Sequence, residues 1–205
     1  MKEIARGAEA AIFEDNNAIV KDRIKKSYRA TELDEKLRRE RTRNEAKLLN
    51  DARRAGVDTP KVLQVDEKNN KIVMEKISGQ RIKDFLNDAP SAEMKQIAEL
   101  IGSALGKLHL AGIVHGDATT SNMILHNGRL YLIDFGLGYF SNRAEDFGTD
   151  LAVLQEAIRS THFEHFKELW HNTISAYEKS FPAAKQSLKA LQDIESRGRY
   201  MTKLG

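Results

Sequence analysis

The chain has 205 residues, 40% hydrophobic and 31% charged, with no cysteine and a formal net charge of only +3. That suffices for one compact domain or two small lobes and excludes disulfides and thiolate metal centres. No window has the continuous apolar run of a membrane span, and Met1-Lys2-Glu3 opens no signal peptide, so a soluble cytoplasmic protein with no membrane partner is expected.

Short strands are expected around Glu3-Ile4, Ala10–Phe13 and Ala18–Lys21. The first turn, Arg6-Gly7-Ala8-Glu9-Ala10, has a single glycine, which lets the backbone N–H groups of Gly7, Ala8 and Glu9 approach a phosphate. Asn16-Asn17 makes the next turn, and Lys21 ends the third strand. A helix is expected from about Thr31 to Arg54, with an apolar face of Leu33, Leu37, Leu48, Leu49 and Ala52. Glu45 lies three, four and seven residues before the last three, so it shares their buried face. A carboxylate there is costly unless a cation meets it, and Lys21 is the natural partner. From Lys21 to Arg54 there are 13 Lys and Arg against 7 Asp and Glu, leaving the rest of the chain net negative. Such a segment reads as a partner surface, carried by Lys25, Lys26, Arg29, Arg38, Arg39, Arg41 and Arg43, or as a solvated helix face.

Gly56 and Pro60 close the helix, and Lys61–Val65 and Lys71–Met74 alternate as two antiparallel strands. Met74 to Gly79 leaves the sheet, Arg81–Leu86 suits a short helix, and Ser91 is placed to cap a long one through Leu110. Its core face is Ile97, Leu100, Ile101, Ala104, Leu105 and Leu108, and Gly112 ends it.

The stretch from Ile113 to Gly136 carries the chemistry. His115-Gly116-Asp117 breaks into a polar loop reaching Asn122, and Asn127-Gly128 marks a hairpin between Met123-Ile124-Leu125 and Leu130–Ile133. Asn122 therefore enters one strand while Asp134 ends the next. With Asp117 between, these oxygens can converge on one magnesium-phosphate group, because Mg²⁺ shares a few carboxylates with substrate phosphates. Beyond Gly136, Asp150 is expected to open a helix (Leu151 to about Ser160) and to hold the loop backbone from beneath. Helices over Phe163–Phe181 and Ala183–Glu195 follow, split by Pro182. His162, His165 and His171 lack companion carboxylates for a metal site, and Trp170 reads as core. The last ten residues are basic without a packing pattern, a frayed end or one whose Arg197 and Arg199 order on an acidic or phosphate-lined partner.

His115-Gly116-Asp117 with Asn122 five residues on resembles the catalytic loop of protein kinases, and Asp134-Phe135-Gly136 resembles their metal-binding triplet. Gly116 departs from the usual Arg, no Ala-Pro-Glu follows, and Leu137–Phe147 is short, so control by a phosphorylated activation loop and broad peptide specificity are not expected. His115-Gly116-Asp117 resembles instead the RIO-related atypical kinases and the small-molecule phosphotransferases. With the turn at Gly7, the segments Lys25–Arg29 and Leu37–Glu45 and the Arg197-Gly198-Arg199 tail, the whole chain is similar to the small kinase subunit family of the KEOPS complex.

That resemblance implies an α+β, two-lobed kinase fold: an N-lobe over 1–75, a hinge at 76–79, a helical C-lobe over 80–196 and a tail over 197–205. It implies ATP and Mg²⁺ as cofactors, Lys21 and Glu45 as the phosphate-positioning pair, and backbone groups at Glu75 and Ile77 as the adenine hinge. Asp117 becomes the proton acceptor, and Asn122 and Asp134 the metal ligands. The implied role is in making threonylcarbamoyladenosine on tRNA, beside the ATPase subunit that performs the synthesis and a small subunit on the N-lobe. Two other classes share these residues: a small-molecule phosphotransferase, for whose extra helices 205 residues leave no room, and a non-catalytic nucleotide-binding scaffold, against which the intact set argues.

Overall fold

The computed structural model describes residues 1–201, and of residues 198–201 the backbone alone. β1 (Lys2–Arg6), β2 (Ala10–Asp15) and β3 (Ala18–Arg23) form an antiparallel meander. Asn16 makes its second turn at φ 54°, a left-handed angle that asparagine tolerates better than most residues. After α1 (Thr31–Arg54), β4 (Val62–Asp66) and β5 (Lys71–Glu75) complete a five-stranded sheet of order β1-β2-β3-β5-β4. β3, which carries Lys21, is thus the central strand.

α1 departs from the expected pattern in its first half. Leu48, Leu49 and Ala52 are buried, but Leu33 is 52% exposed and Leu37 only partly covered. The residue buried there is Asp34, whose Oδ2 accepts from Arg38 Nε at 2.7 Å, with Arg29 3.7 Å from Oδ1. A clasped carboxylate replaces the apolar contact that periodicity suggested.

The second lobe begins with β6 (Gln80–Arg81), α2 (Ile82–Phe85) and α3 (Ser91–Leu110). Ser91 is not the cap of α3. The Pro90 carbonyl accepts the first amides, from Glu93 and Met94, and the Ser91 hydroxyl donates instead to Glu168 at 3.2 Å. β7 (Ile113–Val114), β8 (Met123–His126), β9 (Arg129–Leu132) and β10 (Tyr139–Phe140) follow, the β8–β9 turn being Asn127-Gly128 at φ 49° and 71°. Positive φ at both residues is what a type I′ turn demands. α4 (Ala144–Thr161) starts earlier than expected and holds Asp150 inside it, not at its start. Its Gly148 packs where a Cβ would press on Ala190. α5 (Phe166–Ser180) follows a short 3₁₀ turn at Phe163–His165, so the expected helix over Phe163–Phe181 begins with that turn. α6 (Ala184–Met201) runs past Ser196, so the start of the supposed frayed tail is helical; the side chain of Arg199 lies outside the described residues.

The apolar core does not respect the lobe boundary. Leu48, Leu49, Ala52 and Val57 are buried in one cluster with Leu105, Leu108, Leu132, Phe135 and Leu151, while Ile72 and Met74 of the sheet share only a small cluster with Ala46 of α1. The turn after α1 is also stitched to β9: the Leu132 amide donates to the Asp58 carbonyl at 2.9 Å, and Arg129 pairs with the Asp58 carboxylate. Trp170 is partly buried against this core. No helix among the described residues is long and apolar enough to cross a membrane.

Candidate active site

The centre of the site is a chain of four charges across the cleft. Lys21 Nζ donates to Glu45 Oε1 at 2.7 Å and to Asp134 Oδ1 at 2.6 Å. Arg23 Nη2 donates to the other Glu45 oxygen at 2.5 Å and to the Arg41 carbonyl at 3.3 Å. Lys21, Arg23 and Glu45 are at most 6% exposed, so the ion pairs are desolvated. Arg23 is a site residue that sequence reasoning missed. It stands two positions after Lys21 on one strand, hence on the same face, and that spacing was the available clue. Two cations and two carboxylates leave the buried cluster near neutrality, which makes its burial tolerable.

Asp134 sits at φ 62°, its Oδ1 also accepting from the Gly136 amide at 3.1 Å. Burial opposes its ionisation, but the charge and hydrogen bond of Lys21, with the Gly136 amide, outweigh it and hold the carboxyl below its usual range. Both hydrogen bonds use Oδ1, and the side chain is 47% exposed, which leaves Oδ2 open to a cation. Asn122 Nδ2 donates to the Asp117 carbonyl at 2.9 Å and to Asp117 Oδ2 at 2.8 Å. That fixes the orientation of the amide and leaves the Asn122 carbonyl oxygen for a cation. Among the described residues no cluster of three or more His, Cys, Asp or Glu could hold a metal. A carboxylate and an amide oxygen therefore suit a cation that takes its other ligands from phosphates and water, as Mg²⁺ does.

The loop backbone is held from below. Asp150 Oδ2 accepts from the His115 amide at 2.8 Å and Oδ1 from the Gly116 amide at 2.9 Å, as the sequence led us to expect. His109 Nε2 donates to Asp150 at 3.2 Å, and its Nδ1 lies 2.7 Å from the hydroxyl of Tyr177, whose pKa burial pushes up. Burial opposes ionisation of Asp150, yet the bond from His109 and the His115 amide hold its carboxyl below the ordinary value. The sign follows. A depressed folded pKa gives stability that is present above the ordinary 3.8 and lost as pH falls below it through the folded value. Asp150→Asn should thus be less stable at neutral pH, with a shallower loss of stability below about pH 4. Denaturant midpoints of both proteins between pH 7 and pH 3 measure this; parallel curves would remove Asp150 from the acid response.

Gly116 stands at φ 79°, and a Cβ there would collide with the Leu137 carbonyl. The position thus excludes an arginine sterically. The following segment turns straight back, with Tyr139 and Phe140 pairing with Val114 and Ile113, and Asn44 of α1 donating to the Gly138 carbonyl at 2.9 Å.

The remaining expected site residues are less uniformly placed. The turn at Gly7 closes through its amide on the Ala10 carbonyl at 2.9 Å, but Glu9 is engaged by Arg41 at 2.6 Å and Arg29 at 3.8 Å. Lys26 reaches the Ala8 carbonyl. Lys26, Arg29 and Arg41 thus strap the turn from within, Arg38 is spent on Asp34 and Arg43 on Glu67, while Lys25 and Arg39 are exposed. The Glu75 amide donates to the Lys61 carbonyl at 2.9 Å and is unavailable to an adenine, and Ile77 is half-buried beside it. Arg197 lies 3.3 Å from Glu145 at the start of α4. His162 is buried between Asn87 and Thr120.

A family model described as the RIO domain matches residues 8–139, from the turn at Gly7 to the end of the cleft. Over nearly its whole length the chain is 43% identical to the KEOPS complex subunit Bud32 of Pyrococcus abyssi, covering 98% of this chain and 96% of that protein. This chain belongs to the Bud32 family of RIO-domain protein kinases. A probable serine/threonine-protein kinase BUD32 homolog of Archaeoglobus fulgidus is 41% identical, over 97% of this chain and 96% of its own. A probable bifunctional tRNA threonylcarbamoyladenosine biosynthesis protein of Methanothermobacter thermautotrophicus is 43% identical over 96% of this chain, which spans only 36% of that longer protein. A second model, the phosphotransferase enzyme family, matches residues 110–180 alone. In fold the chain is similar to the Rio2 kinase of Chaetomium thermophilum in its ADP/Mg²⁺-phosphoaspartate complex, with TM-score 0.64 and 13% identity, over 96% of this chain and 72% of that one. It is similar also to WaaP in complex with acyl carrier protein, with TM-score 0.65 and 16% identity, over 97% and 88%. The two-lobed α+β kinase fold read from the sequence is therefore the fold of this Bud32-family chain.

Proposed function

We propose that this chain is an ATP- and Mg²⁺-dependent serine/threonine protein kinase and ATPase that works in the KEOPS complex, in the synthesis of threonylcarbamoyladenosine on tRNAs reading codons that begin with adenine. The observation that carries the reading is the joining of buried Lys21 and Glu45 to the half-exposed Asp134 in one chain of charges beside Asp117 and Asn122. Phosphoryl transfer needs little covalent chemistry from a protein; it needs positioning and charge. Lys21 is placed to hold nucleotide phosphates, with Glu45 and Arg23 fixing its direction. The amides of Ala8 and Glu9 would cover the phosphates from the first turn, that of Gly7 being spent on the Ala10 carbonyl. Asn122 and Asp134 would hold Mg²⁺, which would supply positive charge to offset that of the phosphates. Asp117 orients the acceptor hydroxyl and takes its proton as the new P–O bond forms and the bond to the leaving ADP breaks. With water in place of the hydroxyl, the same steps hydrolyse ATP.

The names of the relatives support the setting. In the bifunctional relatives the matched region is about a third of the chain, so a Bud32-type unit there works beside a second unit concerned with the same modification. By analogy the partners here are the ATPase subunit that makes threonylcarbamoyladenosine, a small subunit on the N-lobe, and tRNA. The exposed Lys25 and Arg39 and the tail with Arg197 and Arg199 are their contact points.

The match over residues 110–180 favours a second reading, transfer to a small molecule. One experiment separates the classes. The pure chain is incubated with γ-labelled ATP and Mg²⁺, alone and with the assembled complex and tRNA, and label is followed in protein, free phosphate and small molecules. Label in protein or free phosphate, rising with the complex, is expected. Label in a small molecule alone would install the second reading, and nucleotide binding with no transfer at all would leave a scaffold.

A further inference from the structure

The catalytic loop is tied to α4 at two places, within the helix and just past its end. Asp150 holds its first half, and His162, where α4 ends, meets its second half at the turn Thr120–Asn122. His162 is 1% exposed, with Nδ1 2.6 Å from Asn87 Oδ1 and Nε2 3.2 Å from Thr120 Oγ1. The direction of these bonds follows from their neighbours. Asn87 Nδ2 donates to the Thr161 carbonyl at 3.0 Å, which turns Oδ1, an acceptor only, toward the imidazole. Nδ1 must therefore carry the hydrogen. Burial, with His165 nearby, pushes the pKa of His162 down, so the ring is neutral and Nε2 is bare. The hydroxyl of Thr120, itself 1% exposed, is then the donor to His162.

Thr120 opens a single turn whose last residue, Asn122, spends its amide on Asp117 and turns its carbonyl oxygen outward. We propose that His162 is a positioning residue for phosphoryl transfer: through the Thr120 hydroxyl it sets the turn from which Asn122 faces both Asp117 and the cation. Neither Asn87 nor His162 borders the cleft charges, so the effect runs through geometry alone. This rests on the phosphotransfer reading of the site.

Thr120→Val keeps the shape and removes the hydroxyl, and Thr120→Ser restores it. In the full chain T120V should raise the Mg²⁺ concentration for half-maximal ATP turnover about 5- to 10-fold, the effect of one lost hydrogen bond, with T120S near wild type. Mn²⁺ affinity in the presence of ADP, read by electron paramagnetic resonance, should weaken by the same factor. The ¹⁵N spectrum of the wild-type imidazoles should show His162 protonated at Nδ1 and bare at Nε2. A T120V protein with a lower melting midpoint but an unchanged metal requirement, or the opposite tautomer at His162, would overturn the inference. If the wild type itself shows no metal-dependent turnover, the phosphotransfer reading fails, while the ratio of Mn²⁺–ADP affinities still decides the role of His162.

Discussion

Asp117→Asn is expected to bind nucleotide as the wild type does and to transfer phosphate about 10²–10⁴-fold more slowly, the usual contribution of a positioned general base. The substitution is conservative in shape. Asn122 Nδ2 now donates to the carboxylate oxygen at 2.8 Å, and the side-chain oxygen of an asparagine can accept the same bond. The neighbouring amide bond, from Asp117 to His115 Nδ1 at 3.3 Å, involves only backbone on the Asp117 side and should persist. What is lost is the ability to take a proton. Single-turnover transfer with labelled ATP, alongside nucleotide titration by calorimetry, separates the two effects. Unchanged transfer would move the base elsewhere; lost nucleotide affinity would make Asp117 part of the binding site instead.

The second large effect is on stability. Glu45→Ala should cost about 3–5 kcal/mol, because it leaves two buried cations without their shared anion. Lys21 keeps Asp134 as a partner, but Arg23 keeps only the Arg41 carbonyl, and its Nε has no partner among the described residues. Arg23→Met should cost less, since Glu45 remains paired with Lys21 at 2.7 Å. Urea unfolding should show the midpoint falling with little change in slope. A loss of under about 1 kcal/mol for Glu45→Ala would place the network in the range of solvated surface pairs, against its burial.

The cleft charges were legible in the sequence for a physical reason. Glu45 on an apolar face demanded a cation, and Asp117, Asn122 and Asp134 were separated by turn and strand lengths that a hairpin makes unambiguous. Arg23 was not, because a second cation beside Lys21 satisfies a charge balance visible only once Asp134 joins the cluster. Local rules failed where tertiary contacts overrode them. Leu33 stays exposed because α1 extends beyond the apolar core. The Ser91 hydroxyl turned to a partner 77 positions away. The basic segment was read outward, as a partner surface. Only the pairing of Arg38 with Asp34, four residues apart on one helix, was locally readable; Glu9 and Glu67 lie far from their partners in sequence.

The uneven sharing of the apolar core has a consequence for how the molecule breathes. α1 is anchored among the C-lobe helices and tied through Asp58 to the strand that leads to Asp134, whereas it meets the five-stranded sheet through only the small cluster of Ala46, Ile72 and Met74. The mechanical seam therefore runs between the sheet and α1, not between N-terminal and C-terminal halves of the sequence. Lys21 and Arg23 are the bolts across that seam, since both reach from β3 to Glu45. Amide hydrogens of β1, β2 and β3 should then exchange as one unit at a lower opening free energy than those of α3 and α5. A bound nucleotide, by adding phosphate contacts to Lys21, would slow exchange across the whole sheet at once, so the fluctuation that admits the nucleotide is the same one its binding suppresses.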